Sequence, residues 1–177
     1  MSETPHVRVR EATSYDVPYI VNLVESVYRG ETSKKGWTTE ADLLDGQRTD
    51  QEMILELMKK SIFLVAQKDN KIVASVQLEK REGYAYIGML SVDVNAQNLK
   101  LGRRMLDECD QYAHRHWHFK ETRITVIERR KELVNWYERR GYKLTGRTEP
   151  FHQDPRFGIP KVNDLLLVEM SRAISEL

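Results

Sequence analysis

The chain has 177 residues, 40% of them hydrophobic, which is the size of one ordinary domain with enough apolar material to bury a core. Its 28 Lys and Arg nearly cancel its 27 Asp and Glu, so no net field draws it to nucleic acid or an anionic membrane, and any basic site has to be local. No apolar run approaches the roughly 20 residues that cross a bilayer, MSETPHVRVR lacks the apolar stretch of a signal peptide, and the lone Cys109 has no partner for an internal disulfide, so a cytoplasmic protein is expected.

In chain order, HVRVREAT reads as a strand and SYDVPYIVNLVESVYRG as a helix. Asp16 is its expected N-cap and Pro18 lies in its first turn, while Ile20, Val24, Val27 and Tyr28 share a face and Gly30 ends it. The polar segment ETSKKGWTTEADLLDGQRTD reads as a connection with at most a short helical piece. It leads to a helix, QEMILELMKK, for which Thr49 and Glu52 form a capping-box pattern. SIFLVAQ and KIVASVQLE, separated by KDN, read as an antiparallel hairpin. YAYIGMLSV is apolar on both alternating faces, the mark of a central strand. Leu101, Met105, Cys109, Tyr112 and Ala113 then recur at helical spacing. TRITVIE as a strand, RKELVNWYERR as a helix closed by Gly141, YKLTG as a strand and, after a loop with Pro150, Pro155, Gly158 and Pro160, a last strand LLLVEM complete the pattern. Strands and helices interleaved around one central apolar strand predict an α/β layered domain with a mixed sheet, residues 1–177 forming a single unit.

The sharpest local feature is the turn QNLKLGRRM between the central strand and the long helix. A helix N-terminus offers unpaired backbone N–H groups and the positive end of the helix dipole, and Lys100, Arg103 and Arg104 add charge at the same place. A pyrophosphate is the natural guest. The plainer alternative, an ordinary basic first turn, leaves unexplained why charges that disfavour a helix start are gathered there.

At this turn the residues resemble the GNAT superfamily of acetyl-CoA-dependent N-acetyltransferases. The family's Gln/Arg-x-x-Gly-x-Gly/Ala signature is matched at Gln97 and Gly102, with Lys100 in place of the first glycine, Asn98 in place of another common glycine and Val94 in place of a common proline. ELVNWYERRGYKLTG is similar to the family's aromatic-rich helix, which puts its tyrosine at Tyr137 and its closing pair at Gly141 and Tyr142. GWTTEADLLDGQRTD and RFGIPKVNDLLLVEM resemble the substrate-loop and C-terminal sequences of one subgroup, so the likeness covers most of the chain, from residue 7 to 170.

The resemblance implies a GNAT-like layered domain, with a mixed, mostly antiparallel central sheet of about seven strands flanked by helices. It implies acetyl-CoA as cosubstrate and direct attack of a free amine on the thioester in a ternary complex. In that frame Leu90, Ser91 and Val92 offer backbone groups to the pantetheine arm, and Gln97, Asn98, Leu99, Lys100, Leu101, Gly102, Arg103 and Arg104 cradle the pyrophosphate. If the turn needs positive φ, Lys100 is strained by about 1 kcal/mol, and its ammonium compensates by pairing with a phosphate. Tyr137 is the implied general acid, because a phenol of pKa about 10 roughly matches a thiol of about 8.5. By spacing alone Tyr137 reads sooner as a core aromatic beside Leu133 and Val134, and it is the resemblance that reverses this.

The attacking amine has to be neutral, which for a lysine-like amine at pH 7 costs roughly 4.6 kcal/mol unless a base or a dry site helps. Glu79, Glu82 and Asp93 are the candidate bases. Trp37, Glu40 and Asp42, in the connection after the first helix, are the expected substrate-binding residues; the alternatives are a loop anchor for Trp37 and first-turn acids of a short helix for Glu40, Asp42 and Asp45. His114 and His118 lack a third ligand, so no metal is expected, and ERRKE and ERR read as solvated helix faces. The expected activity is therefore transfer of the acetyl group of acetyl-CoA to a primary amine of a small-molecule or amino-acid-like acceptor. The alternatives are a protein lysine or N-terminal acetyltransferase, and a non-catalytic acyl-CoA-binding or interaction module. No nucleic-acid or membrane partner is expected, and a monomer or homodimer is consistent with an exposed edge strand.

Overall fold

A computed structural model describes residues 6–29 and 39–175 and, of Gln97, the backbone. Gly30 and Trp37 lie outside the described residues. In chain order the elements are β1 (Val7–Glu11), α1 (Val17–Tyr28), β2 (Leu44–Asp45), α2 (Gln51–Leu57), β3 (Ser61–Lys68), β4 (Lys71–Arg81), β5 (Tyr84–Val92), α3 (Leu101–Trp117), β6 (Glu121–Ile127), α4 (Lys131–Glu138), β7 (Lys143–Pro150), β8 (Ile159–Pro160) and β9 (Leu166–Ala173). Seven strands form one mixed sheet in the order β1-β3-β4-β5-β6-β9-β7, and β5 is its middle strand, as its two apolar faces predict. Only the β5–β6 pairing is parallel.

Among the described residues each face of the sheet carries a pair of helices, and the alternation along β3 shows why. Phe63 and Val65 pack with Ile20, Val24 and Val27 of α1 and Ile54 of α2. Leu64 and Ala66 point the other way, into the cluster that takes Leu101, Met105, Cys109 and Ala113 of α3 and Leu133, Val134 and Tyr137 of α4. The β3–β4 hairpin turns through Asp69 and Asn70, both at positive φ (49° and 62°), the conformation a two-residue hairpin loop favours.

Three local details differ from the sequence reading. The Asp16 carboxylate does not cap α1; it accepts the Thr13 N–H at 2.8 Å and two Arg10 N–H groups at 2.8 and 2.9 Å, closing a 3-10 turn (Ser14–Asp16) ahead of the helix. The N-cap of α2 is Asp50, which accepts the Met53 N–H at 2.8 Å, because the backbone N–H of Thr49 is held elsewhere, by Glu25. The described part of the connection after α1, from Thr39 on, is also more than a coil. Its short β2 pairs with β8, and Leu44 packs against Ile127, Leu165 and Leu167. That contact ties the first half of the chain to the second.

Candidate functional site

The site begins where the sheet stops being a sheet. β5 and β6 pair at Ala85–Thr122 and Tyr86–Arg123, and beyond these residues the parallel ladder ends although both strands continue. On its other side β5 has a register shift against β4 between Ser75 and Gln77, with Met89 at φ 47°. A bulge of this kind re-aims the strand and leaves backbone groups without ladder partners. Leu90, Ser91 and Val92 are buried on this stretch. The Leu90 carbonyl is taken, accepting the Tyr28 hydroxyl at 2.5 Å, and the Ser91 hydroxyl donates to the Met89 carbonyl at 3.0 Å.

After Val92 the chain makes a 3-10 helix (Val94–Leu99) and reaches Lys100, whose φ of 55° and ψ of 29° place it in the left-handed region. Lys100 therefore does occupy the backbone conformation that favours glycine. It is also the N-cap of the 17-residue α3, whose opening turn carries buried Leu101 and Gly102 and exposed Arg103 and Arg104. The first N–H groups of such a helix have no intrahelical partners. The turn residues Asn98, Leu99, Lys100 and Arg103 are wholly or partly exposed at this end of the sheet.

On the other side of the splay lies a cavity of about 300 Å³, lined by Leu90 and Met89 of β5, Val126 of β6 and Tyr137 of α4. Tyr137 sits in edge-to-face contact with Trp136 (5.0 Å) and Tyr142 (5.6 Å), and burial pushes its phenol well above the usual value, so it holds its proton at neutral pH. Glu79 also faces the cavity, held by Arg81 at 3.4 Å and Lys60 at 3.9 Å. The other two candidate bases do not face it. Glu82 is exposed beside the β4–β5 turn. Asp93 pairs with Lys71 at 3.2 Å and faces a separate hollow of about 540 Å³ beside α1, where Arg10 and Asp16 are also paired with each other.

Glu40 lines the cavity and pairs with the buried Arg29 at 3.0 Å; Arg29 also donates to the Phe157 carbonyl at 2.9 Å. Asp42 is exposed and is not part of the wall. Several wall residues escaped the sequence reading: Tyr28, Arg48, Tyr86, Thr125 and His152. Tyr28 read as one more apolar position of α1, yet burial raises its pKa to about 12 and its hydroxyl marks the end of the splay. Tyr86 and Thr125 share a hydrogen bond of 2.9 Å across β5 and β6, a contact between distant positions that no local pattern announces.

A splayed parallel strand pair at the middle of a mixed sheet, followed by a basic turn into a long helix, defines a class of acyl-transfer domain. A family model described as an acetyltransferase (GNAT) domain matches residues 30–154, and the chain belongs to that family. It is accordingly an acyltransferase, and its acyl donor is acetyl-CoA. Among solved structures it is similar to Ard1 from Thermoplasma volcanium (18% identity, TM-score 0.72), with 96% of this chain and 99% of that one covered. It is also similar to a GNAT family acetyltransferase from Elizabethkingia anophelis with acetyl-CoA bound (15% identity, TM-score 0.64, 94% and 97% covered). A third similar structure is the ribosomal-protein-S18-alanine N-acetyltransferase from Escherichia coli (12% identity, TM-score 0.67, 97% and 96% covered). At such identities the likeness is one of fold. No curated protein matches the chain. Among the described residues no helix is long and apolar enough to cross a membrane, and no group of metal-ligating side chains is gathered.

The residues present fit acetyl-CoA. The open edge of β5 can take a ladder partner, and the left-handed turn at Lys100 aims a helix N-terminus with three basic side chains outward.

Proposed function

We propose that this chain moves the acetyl group of acetyl-CoA to a primary amine of a small-molecule or amino-acid-like acceptor bound in the cavity beside Tyr137. The observation that carries the reading is that Tyr137, Glu79 and Leu90, on the stretch of β5 that β6 no longer pairs, line one and the same cavity. Acetyl-CoA supplies an activated acyl carbon and a thiolate leaving group.

The chain's own residues divide the remaining work. Leu90, Ser91 and Val92 hold the pantetheine arm along the strand edge, and Gln97 to Arg104 hold the pyrophosphate through the turn and the α3 N-terminus. Tyr137 keeps its proton because it is buried, and it donates that proton towards the departing sulfur. A thiolate released beside that buried phenol has its own pKa raised for the same reason. Glu79, paired with Arg81 and Lys60, accepts the proton of the incoming ammonium directly or through a water. Glu40 and the wall around it orient the acceptor, with Trp37 in the adjoining connection. We read residues 1–177 as one such domain, working in the cytoplasm as a monomer or homodimer without nucleic acid, membrane or metal.

The test is a calorimetric titration with acetyl-CoA, using CoA and ATP as controls, followed by an amine panel. Micromolar or tighter binding with ATP much weaker, and turnover of small amines that Tyr137→Phe reduces, supports the reading. Turnover confined to protein N-termini or lysines replaces it with a protein acetyltransferase. Folded protein that ignores acetyl-CoA ends it.

A further inference from the structure

We propose that Arg48 selects acceptors that carry a carboxylate close to the reacting amine, so that the substrate class is free amino acids with an apolar side chain. This inference rests on the acetyltransferase reading of the cavity.

The first argument is position. Arg48 lies in the connection between α1 and α2, and both of its flanks are fixed. Glu25 of α1 accepts the backbone N–H groups of Arg48 and Thr49, each at 2.7 Å, and Asp50 caps α2 one residue further on. The Arg48 guanidinium lies 5.7 Å from the centre of the Tyr28 ring, and the Tyr28 hydroxyl is bonded to the Leu90 carbonyl at the splay. A chain of packed and bonded groups thus sets the distance from this cation to the point where the acyl group is held. The side chain faces the same cavity as Tyr137 and Glu79.

The second argument is charge. The wall carries Arg48, Lys60, Arg81, Glu40 and Glu79. Glu79 is engaged by Arg81 and Lys60, and Glu40 by Arg29 from behind the wall. Arg48 forms no ion pair with any described residue, so among the described wall residues it is the cation left for a ligand. A guanidinium presents paired N–H donors in the geometry of a carboxylate. Between the charges Met53, Phe151 and Phe157 give the wall an apolar patch, beside the polar Gln77, Thr125 and His152, and that patch suits an apolar side chain. A cavity of about 300 Å³ has amino-acid dimensions. A protein N-terminus brings an amide where this site looks for an anion.

The experiment compares matched acceptors: L-leucine with isoamylamine, L-methionine with 3-(methylthio)propylamine and L-phenylalanine with phenethylamine, together with the three amino-acid amides. Rates are corrected for the fraction of free amine. The wild-type enzyme should favour each amino acid over its carboxylate-free partners by about ten- to a hundredfold in kcat/KM, mostly through KM. Arg48→Met should collapse that ratio towards one, and Arg48→Lys should keep part of it. Acetyl-CoA titration of each variant reports whether the donor half still works. If acetyl-CoA binds and the neutral partners react as well as the amino acids, if the ratio survives Arg48→Met, or if none of the amino acids is acetylated, Arg48 does not select a carboxylate. If acetyl-CoA itself fails to bind the folded wild-type protein, it is the parent reading that falls.

Discussion

The two halves of the cleft are made of different materials. The proposed donor half is chiefly main chain: a strand edge released by a bulge at Met89, a left-handed turn at Lys100 and the first turn of α3. The acceptor half is chiefly side chain, contributed by α1, the β2 connection, α2, β4, β6 and the loop after β7, with charges that pair across those elements. Main-chain recognition depends on geometry that many sequences can supply, which suits a donor common to a whole family. Side-chain recognition depends on residue identity, so the acceptor half is where the choice of substrate would be written.

The comparison predicts that damage to the acceptor half is expensive and stays there. Glu40→Ala should have the largest effect, because it strips the buried Arg29 of its carboxylate and leaves it the Phe157 carbonyl as side-chain partner among the described residues. Burial already lowers the Arg29 pKa, so the charge is held there at a cost. A loss of about 3 kcal/mol in denaturant unfolding is expected. Acetyl-CoA affinity, measured well below the new midpoint, should be unchanged; a parallel loss of donor binding would show that the halves are not separable.

Tyr137→Phe tests the residue that faces both halves. The expected result is a fall in kcat of about a hundredfold with the acetyl-CoA dissociation constant unchanged. The pH profile sharpens this. An acid must be protonated to act, and burial raises the Tyr137 pKa above its ordinary value, so its loss of activity belongs above about pH 10. Between about pH 6 and 9.5 the wild-type kcat/KM should only rise, as the acceptor amine deprotonates. An alkaline limb inside that window, absent from Tyr137→Phe, would mean that the phenol is far less buried during turnover.

Gly88→Ala probes the seam itself and should cost less, about 1 kcal/mol of stability. An added Cβ would stand 2.7 Å from Gln77 Oε1 and 3.2 Å from Tyr86 Cε1, and the Gln77 amide, which donates to the Ser61 hydroxyl at 3.3 Å, would have to give way. Thermal denaturation measures this, and an unchanged midpoint would mean that Gln77 moves freely.

The same division of materials explains which parts could be read from the residues alone. β5 announced itself as the central strand because both its faces are apolar, and the α3 stripe from Leu101 to Ala113 is a local periodicity that packing merely confirms. The basic turn, too, is contiguous. The acceptor half is assembled from positions far apart in the chain: Glu25 holding Arg48, Tyr86 meeting Thr125, Arg29 pairing with Glu40 behind a wall that includes Phe157. None of these has a spacing signature, since each depends on where the sheet brings its strands. Thr49 illustrates a local rule overruled by such a contact: its capping pattern with Glu52 is sound in isolation, but Glu25 takes its N–H and the cap passes to Asp50.

The smallest expected effect is at Lys100, and it bears on whether the donor half is main chain alone. With φ at 55°, Lys100 carries the cost of a left-handed residue, about 1 kcal/mol, which glycine would not. Glycine also loosens the unfolded chain by nearly as much, so Lys100→Gly should raise the thermal midpoint slightly or leave it unmoved. Acetyl-CoA affinity should fall two- to fivefold, about 0.3–1 kcal/mol for one cation removed from an anion at a helix N-terminus. Because that contribution is electrostatic and exposed, the difference between wild type and variant should shrink when the titration is repeated at high salt. A variant that binds acetyl-CoA more tightly at both ionic strengths would mean that the lysine crowds the pyrophosphate and that the turn works through its N–H groups alone. The contrast between a main-chain donor half and a side-chain acceptor half would then be complete, with Arg103 and Arg104 left to supply the charge beside the phosphates.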